Sequence, residues 1–348
     1  MAKKKVYVGL SGGVDSSVTA ALLIEQGYEV TGVYMKNWTQ DLPGFSCPWK
    51  EDYQDAKRIA VQLNIPFKTY DFQKQYRQKV VDYMIDEYQA GRTPNPDIMC
   101  NQEVKFKLFL DTVLADGADM IATGHYAQIK NGQLKMAKNL DKDQTYFLYR
   151  VTEDALKHSL MPIGDFKTKD EVRAQAKKLG LVTAAKKDSQ GICFVGKVGI
   201  KEFLQQFVKT KPGDIIDNNG LKLGQHEGAI FYTIGQRHGL DIGGGLPYYV
   251  IGKDMAKNQV YVTTDIDDEN LWHKELNLTD VHWINGEPDL SKTYQVRTRY
   301  RASLVDCRLV KSNNGLKVLL EDEVRAITAG QSAVIYDSKH CLGGGIIV

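Results

Sequence analysis

Lys5-Val6-Tyr7-Val8-Gly9-Leu10-Ser11-Gly12-Gly13-Val14-Asp15-Ser16-Ser17 is the stretch whose reading decides the fold. The apolar run Lys5 to Leu10 reads as a strand and the residues from about Ser16 to Gln26 as a helix, so a glycine-rich turn joins the two. Two glycines let backbone N–H groups curl around an anion, the serine hydroxyls add donors, and the helix N-terminus adds positive potential. A phosphate or pyrophosphate belongs in such a turn. Neither Gly196-Lys197 nor Gly252-Lys253 is followed by Ser or Thr, and no G-x-G-x-x-G occurs, which removes support from ordinary kinase and dehydrogenase readings.

Outward from this turn the same alternation continues. Strands are expected at Glu29 to Met35, Phe67 to Phe72 and Met120 to Thr123, with helices near Tyr53 to Leu63, Lys74 to Tyr88 and Val104 to Ala115. Strands alternating with helices make a doubly wound parallel sheet of the α/β class, whose ligands sit beyond the carboxyl ends of the strands at the topological switch point. The loops after Leu10, Met35 and Thr123 should therefore converge. Two further helices are expected between about 152 and 180, the second opened by a capping box from Thr168 to Glu171.

After about residue 210 the texture changes to short β-like runs broken by Gly, Asn and Asp: Ile230 to Ile234, Tyr248 to Ile251, Gln259 to Thr263, Tyr294 to Tyr300, Leu316 to Leu320 and Ala333 to Tyr336. Such runs suggest small β modules or a barrel, and the acidic stretch Asp265 to Glu269 marks a boundary. The expected division is 1–205, 206–272 and 273–348, which suits 348 residues, more than one hydrophobic core usually holds.

Composition is that of an ordinary globular chain, 43% hydrophobic and 25% charged. No apolar run approaches the roughly 18 residues needed to cross a bilayer, and the segment after Lys3 to Lys5 is too short for a signal peptide, so no membrane role is expected. Five cysteines without C-x-x-C spacing give neither a disulfide framework nor a zinc knuckle; no protein metal site is expected, and reduced thiols in a cytoplasmic location are. The net charge of +2 conceals an uneven distribution. Residues 167–211 carry eleven Lys/Arg against four Asp/Glu, whereas 265–290 carry one Lys against eight acids. The basic segment can meet phosphates, or it can be a solvated surface.

Two other constellations carry chemistry. In Gly91-Arg92-Thr93-Pro94-Asn95-Pro96-Asp97-Ile98-Met99-Cys100-Asn101 two prolines stiffen a loop before a helix that Asn101 could cap, placing Cys100 near a helix N-terminus. That position lowers a thiol's pKa, and Asp97 could relay a proton. Lys187-Asp188-Ser189-Gln190-Gly191-Ile192-Cys193-Phe194 is a glycine-containing loop delivering a second thiol. Cys47, Cys307 and Cys341 read as structural, and the glycine triplets 243–245 and 343–345 as turns. Arg297, Arg299 and Arg301 alternate along a strand-like run, so three guanidiniums would share one face and suit phosphates.

S-G-G-x-D-S resembles the pyrophosphate loop of ATP pyrophosphatases, the PP-loop enzymes of adenine nucleotide alpha hydrolase-like fold. The chain as a whole resembles the tRNA-specific 2-thiouridylase family. Beyond the loops above, the resemblance rests on 122–126 (Ala-Thr-Gly-His-Tyr), 142–148 (Lys-Asp-Gln-Thr-Tyr-Phe-Leu), 232–237 (Tyr-Thr-Ile-Gly-Gln-Arg), 298–301 (Thr-Arg-Tyr-Arg), 330–334 (Gly-Gln-Ser-Ala-Val) and 341–345 (Cys-Leu-Gly-Gly-Gly). It implies a catalytic PP-loop domain, a small β-rich central domain and a C-terminal β-barrel, the latter two binding tRNA. It implies ATP, with Mg²⁺ as its counterion, held by Gly9, Leu10, Ser11, Gly12, Gly13, Val14, Asp15, Ser16, Met35 and Gly124. It implies tRNA contacts at Asn95, Pro96, Asp97, His125, Asp143, Gln144, Thr145, Arg299, Tyr300 and Gln331, and catalysis by Asp97, Cys100 and Cys193. The implied reaction adenylates the C2 oxygen of the wobble uridine and substitutes sulfur from a persulfide on Cys193, supplied by a donor protein or relay. Thr145 departs from the Ser found in many members. Two alternatives stay open on the residues alone: a PP-loop enzyme that amidates a nucleotide or small molecule, and an RNA-binding protein that uses ATP as a switch.

Overall fold

A computed structural model describes residues 2–41, 47–187, 199–243, 245–312 and 315–348. β1 (Lys5–Gly9), β2 (Glu29–Lys36), β3 (Phe67–Asp71), β4 (Met120–Ala122) and a short strand at Ser159–Leu160 form one parallel sheet in the order β3-β2-β1-β4 followed by that strand. The chain steps one way from β1 to β3, then returns to the other side of β1 with β4. The switch point thus lies between β1 and β4, with the glycine turn at its carboxyl end. Val8, Val33 and Ile121 are fully buried on these strands, and each such side chain contributes roughly 1.5–3 kcal/mol of transfer free energy.

Helix α1 (Val14–Glu25) buries residues on most of its circumference because it lies between the sheet and the helix Lys169–Lys178, whereas α2 (Trp49–Gln62) buries only Ala56, Ile59 and Ala60. Thr168 caps the helix Lys169–Lys178 as expected, its hydroxyl accepting from the Glu171 N–H at 3.2 Å, while the Glu171 carboxylate accepts from the Lys167 N–H at 2.8 Å.

The central domain is a four-stranded sheet of Gly213–Asp217, Lys222–His226, Tyr249–Asp254 and Gln259–Thr263. The expected strand at Ile230 to Ile234 is absent; Ala229–Phe231 form a 3₁₀ turn and the chain continues without ladder bonds. In the C-terminal domain, strands Trp272–Trp283, Gly315–Arg325, Val305–Ser312, Thr293–Arg297, Ser332–Asp337 and His340–Ile347 close on themselves, the last pairing with the first. This is a six-stranded barrel. The triplet 343–345 is strand, not turn. A Cβ on Gly343 would stand 2.1 Å from the His282 oxygen and one on Gly344 2.2 Å from the Ala333 oxygen, so only glycine allows the closing strands to approach.

One hairpin of the N-terminal domain, Ala127–Lys130 with Gln133–Met136, adds to the barrel's sheet through Leu134 and Lys135. The first and third domains thus share a β-sheet. Among the described residues no helix is long and apolar enough to cross a membrane.

Candidate active site

At the switch point the loop takes the conformation its glycines permit. Gly12 has φ +75°, and a Cβ there would lie 2.5 Å from the Asp52 oxygen; Gly13 is extended and caps α1. Ser11 and Ser16 hydroxyls lie 3.2 Å apart, Ser16 Oγ also accepts from the Ser11 N–H at 3.2 Å, and the Ser16 and Ser17 hydroxyls donate to the Gly13 oxygen at 3.1 and 2.8 Å. These bonds hold the turn open at the start of a helix.

The other residues expected to hold a nucleotide gather on it. A Cβ on Gly124, just beyond β4, would stand 2.7 Å from the Ser16 nitrogen, and one on Gly9 would stand 2.9 Å from Met35 Cε. Any larger side chain at 9 or 124 closes the space between the strand ends. Leu10 and Val14 are buried beneath the loop, in one core with Val6, Val8 and Val18. Asp15 accepts from Lys169 Nζ at 2.7 Å on both oxygens and from the Tyr126 hydroxyl at 2.8 Å. Sequence reading gave Lys169 and Tyr126 no role, since the pairing joins positions 15 and 169 and only the fold brings them together.

The second constellation differs from expectation at its helix. The helical run is α over Pro96–Met99, widens to π over Cys100–Leu108 and closes as α over Phe109–Ala115. Pro96 takes the first helical position, which its fixed φ and missing N–H suit, and Asn95 is the N-cap residue. Asn101 is therefore no cap: it is buried inside the run, its amide donating to the Phe147 oxygen at 3.0 Å. Cys100 lies one turn in, 2% exposed, in the main core. π-helical turns are rare and concentrate at functional sites.

Asp97 is half-buried in the first turn, and burial raises its carboxyl pKa while the Lys105 charge opposes the rise. His125 is 8% exposed, its Nδ1 2.8 Å from Thr123 Oγ1 and its ring 5.8 Å from Phe106. Burial, then Lys105, hold His125 well below the ordinary histidine pKa, so the ring is neutral. Lys105 thus acts on both Asp97 and His125. His125 follows Gly124 directly, so the Cys100 helix packs against the residue next to the strand-end glycine.

The expected RNA-contacting residues divide into two groups. Asp143 and Thr145 turn their side chains into the domain interface: Asp143 is 1% exposed, accepts from the Ala137 N–H at 3.0 Å and from Thr145 Oγ1 at 2.6 Å, and pairs with Arg297 at 3.3 Å. Burial raises the Asp143 pKa against the lowering effect of these partners. Their side chains offer no surface to an RNA in this conformation. Gln144 is half-buried and pinned on Tyr126, its Oε1 accepting the Tyr126 N–H and its own N–H donating to the Tyr126 oxygen, both at 2.8 Å.

The expected arginine face is also corrected. The strand ends at Arg297, and Arg301 has φ +63°, so the alternation stops. Arg297 enters the buried pair, whereas Arg299 donates to the Ile234 and Ala326 oxygens at 2.9 and 2.7 Å and to Thr328 Oγ1 at 2.8 Å; Arg301 is exposed. Tyr300 stacks obliquely on Phe147 with centroids 4.5 Å apart. Gln331 reaches the loop before the helix of Asp97 and Cys100, its amide donating to the Thr93 oxygen at 2.7 Å. Cys193 lies outside the described residues. Cys307 and Cys341 are buried with thiol pKa values pushed up by burial, to about 12 for Cys307, as inert structural thiols should be. Cys47 is half-buried, its pKa raised mainly by burial.

Fold and site together define a class: a nucleotide-binding α/β domain with an anion loop at its switch point, sharing a sheet with a closed β-barrel. Residues 4–197 match the model described as tRNA methyl transferase HUP domain, 201–264 the tRNA methyl transferase PRC-barrel domain, and 273–347 the aminomethyltransferase beta-barrel domain. The chain is 48% identical to the tRNA-specific 2-thiouridylase MnmA of Bacillus licheniformis, over 99% of this chain and 94% of that one. It is 49% identical to the protein of the same name from Legionella pneumophila (strain Lens), over 99% and 98%. It belongs to the tRNA-specific 2-thiouridylase family.

Proposed function

We propose that this chain is an ATP-dependent tRNA-uridine 2-sulfurtransferase that makes 2-thiouridine at the wobble position, 34. The observation that carries the reading is the convergence at one strand end of the open Ser11–Ser16 loop, Gly124 and Met35, with the Asp97/Cys100 helix packed on the adjoining His125. In the first step the C2 oxygen attacks the α-phosphorus of ATP and pyrophosphate leaves, its charge met by loop amides, hydroxyls and the α1 N-terminus. Gly9, Leu10, Gly12, Gly13 and Val14 shape that cradle. Oxygen on a uracil is a poor leaving group, and adenylation lets it depart as AMP.

In the second step the terminal sulfur of a persulfide on Cys193 bonds to C2 and the C2–O bond breaks, releasing AMP. The Cys100 thiolate then attacks the Cys193 sulfur; the S–S bond to the transferred atom breaks, and the two cysteines supply its two electrons by ending as a disulfide. A cytoplasmic thiol reductant reopens it. The alternative order, Cys100 attacking first and sulfide adding to C2, gives the same products. Asp97, with its pKa raised by burial, relays a proton beside Cys100. Mg²⁺ arrives as the counterion of ATP; Asp15, the loop's carboxylate, is engaged by Lys169 and Tyr126, and no step depends on a protein-held metal.

The wobble base must leave its stack to reach this cleft. Asn95, Pro96 and Asp97 flank it, and His125, Gln144, Arg299, Tyr300 and Gln331 line the approach of the anticodon arm; Asp143 and Thr145 serve it by holding the barrel. The sulfur comes from a persulfide-bearing protein or relay. The test is nucleoside mass analysis of unmodified tRNA incubated with enzyme, ATP and a protein persulfide. One sulfur gained for one oxygen at the wobble uridine, lost in Cys100→Ser and Cys193→Ser, is expected. Unchanged tRNA with ATP consumed, or full thiolation by Cys193→Ser, overturns the reading; nitrogen incorporation supports an amidating enzyme instead.

A further inference from the structure

The run Thr298-Arg299-Tyr300-Arg301 ends in a turn whose backbone suits a different residue from the one it has. The Ala302 N–H donates to the Arg299 oxygen at 3.1 Å, so Tyr300 and Arg301 are the central residues of a four-residue turn, and Arg301 stands at φ +63°. Glycine or asparagine ordinarily fills that position, because a Cβ crowds the following carbonyl there. A bulky residue held in this conformation points to a use for its side chain. The neighbouring arginines are engaged within the protein: Arg297 pairs with Asp143, and Arg299 donates to three oxygens. Arg301 is exposed, no hydrogen bond or ion pair holds it among the described residues, and its guanidinium lies over the Tyr300 ring, 5.1 Å from the centroid. Tyr300 lies in turn against Phe147, with planes at 47°, and both residues are half-buried. The Phe147 oxygen accepts the amide of Asn101, the residue after Cys100, so this row of π surfaces begins beside the Cys100 helix and ends at an exposed cation.

From this geometry we propose that Phe147, Tyr300 and Arg301 form a stacking seat for an unpaired RNA base next to the one taken into the cleft, with the Arg301 guanidinium as its outermost layer. Drawing one base out of a loop leaves its neighbour without a stacking partner. Aromatic rings and guanidinium planes replace that partner, and they accept any base because every base has a π face. The proposal rests on the reading that an anticodon loop is the substrate. To that surface it adds Phe147 and Arg301, and it gives them stacking as their task instead of attraction to phosphate. The strained turn is what holds the guanidinium over the ring.

Fluorescence anisotropy with the whole chain tests it, using an anticodon stem–loop RNA that is intact or carries an abasic residue on one or the other side of the wobble uridine. For intact RNA, Arg301→Gly is expected to raise Kd about tenfold, the scale of one lost base stack, while melting no lower than wild type, since glycine suits the turn. Arg301→Lys keeps the charge and loses the plane, so its affinity is expected to match that of Arg301→Gly. Wild type is expected to bind one of the abasic RNAs about tenfold more weakly, and against that RNA Arg301→Gly costs nothing further. Wild-type affinity in Arg301→Gly overturns the proposal, as does wild-type affinity in Arg301→Lys, which reduces the residue to a phosphate contact. Equal binding of all three RNAs by wild type overturns it as well. A lower melting temperature in Arg301→Gly, with equal losses for intact and abasic RNA, makes the arginine structural and has the same force. Phe147→Leu is expected to lose affinity alongside Arg301→Gly; if it fails to fold, the exposed Arg301 decides alone. Failure of the underlying reading is separate: wild type then binds the anticodon stem–loop no better than an unrelated hairpin of the same length.

Discussion

Asp97 is held where its charged form is disfavoured, since burial raises its pKa and only Lys105 opposes the rise. The folded state therefore binds a proton that the unfolded state has released in the window above the ordinary carboxylate pKa, and stability falls as pH rises through that window; the cost is complete above the folded pKa. Asp97→Asn removes it. The variant is expected to melt about 2–4 °C higher than wild type at pH 7.5, with the gap closing below pH ~4, and to form 2-thiouridine about 100-fold more slowly, the scale of a general acid–base contribution. Calorimetry across pH and the nucleoside assay check both parts. A variant that is less stable at pH 7.5 makes Asp97 structural. His125 has the opposite sense: burial keeps it neutral across the physiological range, so it serves as a hydrogen-bonding ring beside the cleft and not as a cation for phosphate.

Elements were legible in the sequence where their signals were local. The turn from β1 to α1 was readable because glycine, serine and a following helix carry all of its geometry in seven adjacent residues, 11–17. The helix of Asp97 and Cys100 was half readable: Pro94 and Pro96 announce a boundary, but whether the helix starts at Pro96 or after Asn101 depends on Phe147 claiming the Asn101 amide, a contact no local pattern encodes. The arginine run failed because the strand stops at Arg297, where Asp143 takes the side chain from another domain. That pair permits a prediction about elements. Arg297 and Asp143 have side chains 11% and 0% exposed, and they fasten the barrel to the segment that follows the shared hairpin. Removing one partner leaves the other charged and buried, so Arg297→Met should destabilise by about 3–5 kcal/mol, whereas the double variant with Asp143→Asn should recover much of that loss. Urea unfolding with a double-mutant cycle measures it. Equal losses in the single and double variants contradict the coupling.

At the scale of the whole molecule, the three domains meet on residues 91–95, just before the helix of Asp97 and Cys100. The Thr93 N–H donates to the Ala329 oxygen at 2.9 Å, Gln331 donates to the Thr93 oxygen at 2.7 Å, and the Thr93 and Thr233 hydroxyls lie 3.2 Å apart. Gly330 faces the same backbone so closely that a Cβ would stand 2.8 Å from the Thr93 nitrogen, and a Cβ on Gly91 would meet Met255 at 2.7 Å. Barrel and central domain therefore both grip the entrance to the helix that carries Asp97 and Cys100, and none of these pairings, more than 100 residues apart in sequence, could be read without the fold. Under the proposed function, a tRNA held by the β domains would be registered against Asp97 and Cys100 by protein bonds as well as by its own reach. Gln331→Ala and Thr233→Val should each slow tRNA-dependent pyrophosphate release about 5–10-fold at saturating tRNA, because a small misplacement of reacting groups is expensive. The melting temperature should change by only a few degrees, since each loses about one hydrogen bond. Because the two hold the same short loop from opposite domains, the double variant should depart from additivity in rate. If instead both variants only raise the KM for tRNA and leave the saturated rate intact, residues 91–95 are a landing surface for RNA and not the joint through which the β domains place the helix of Asp97 and Cys100.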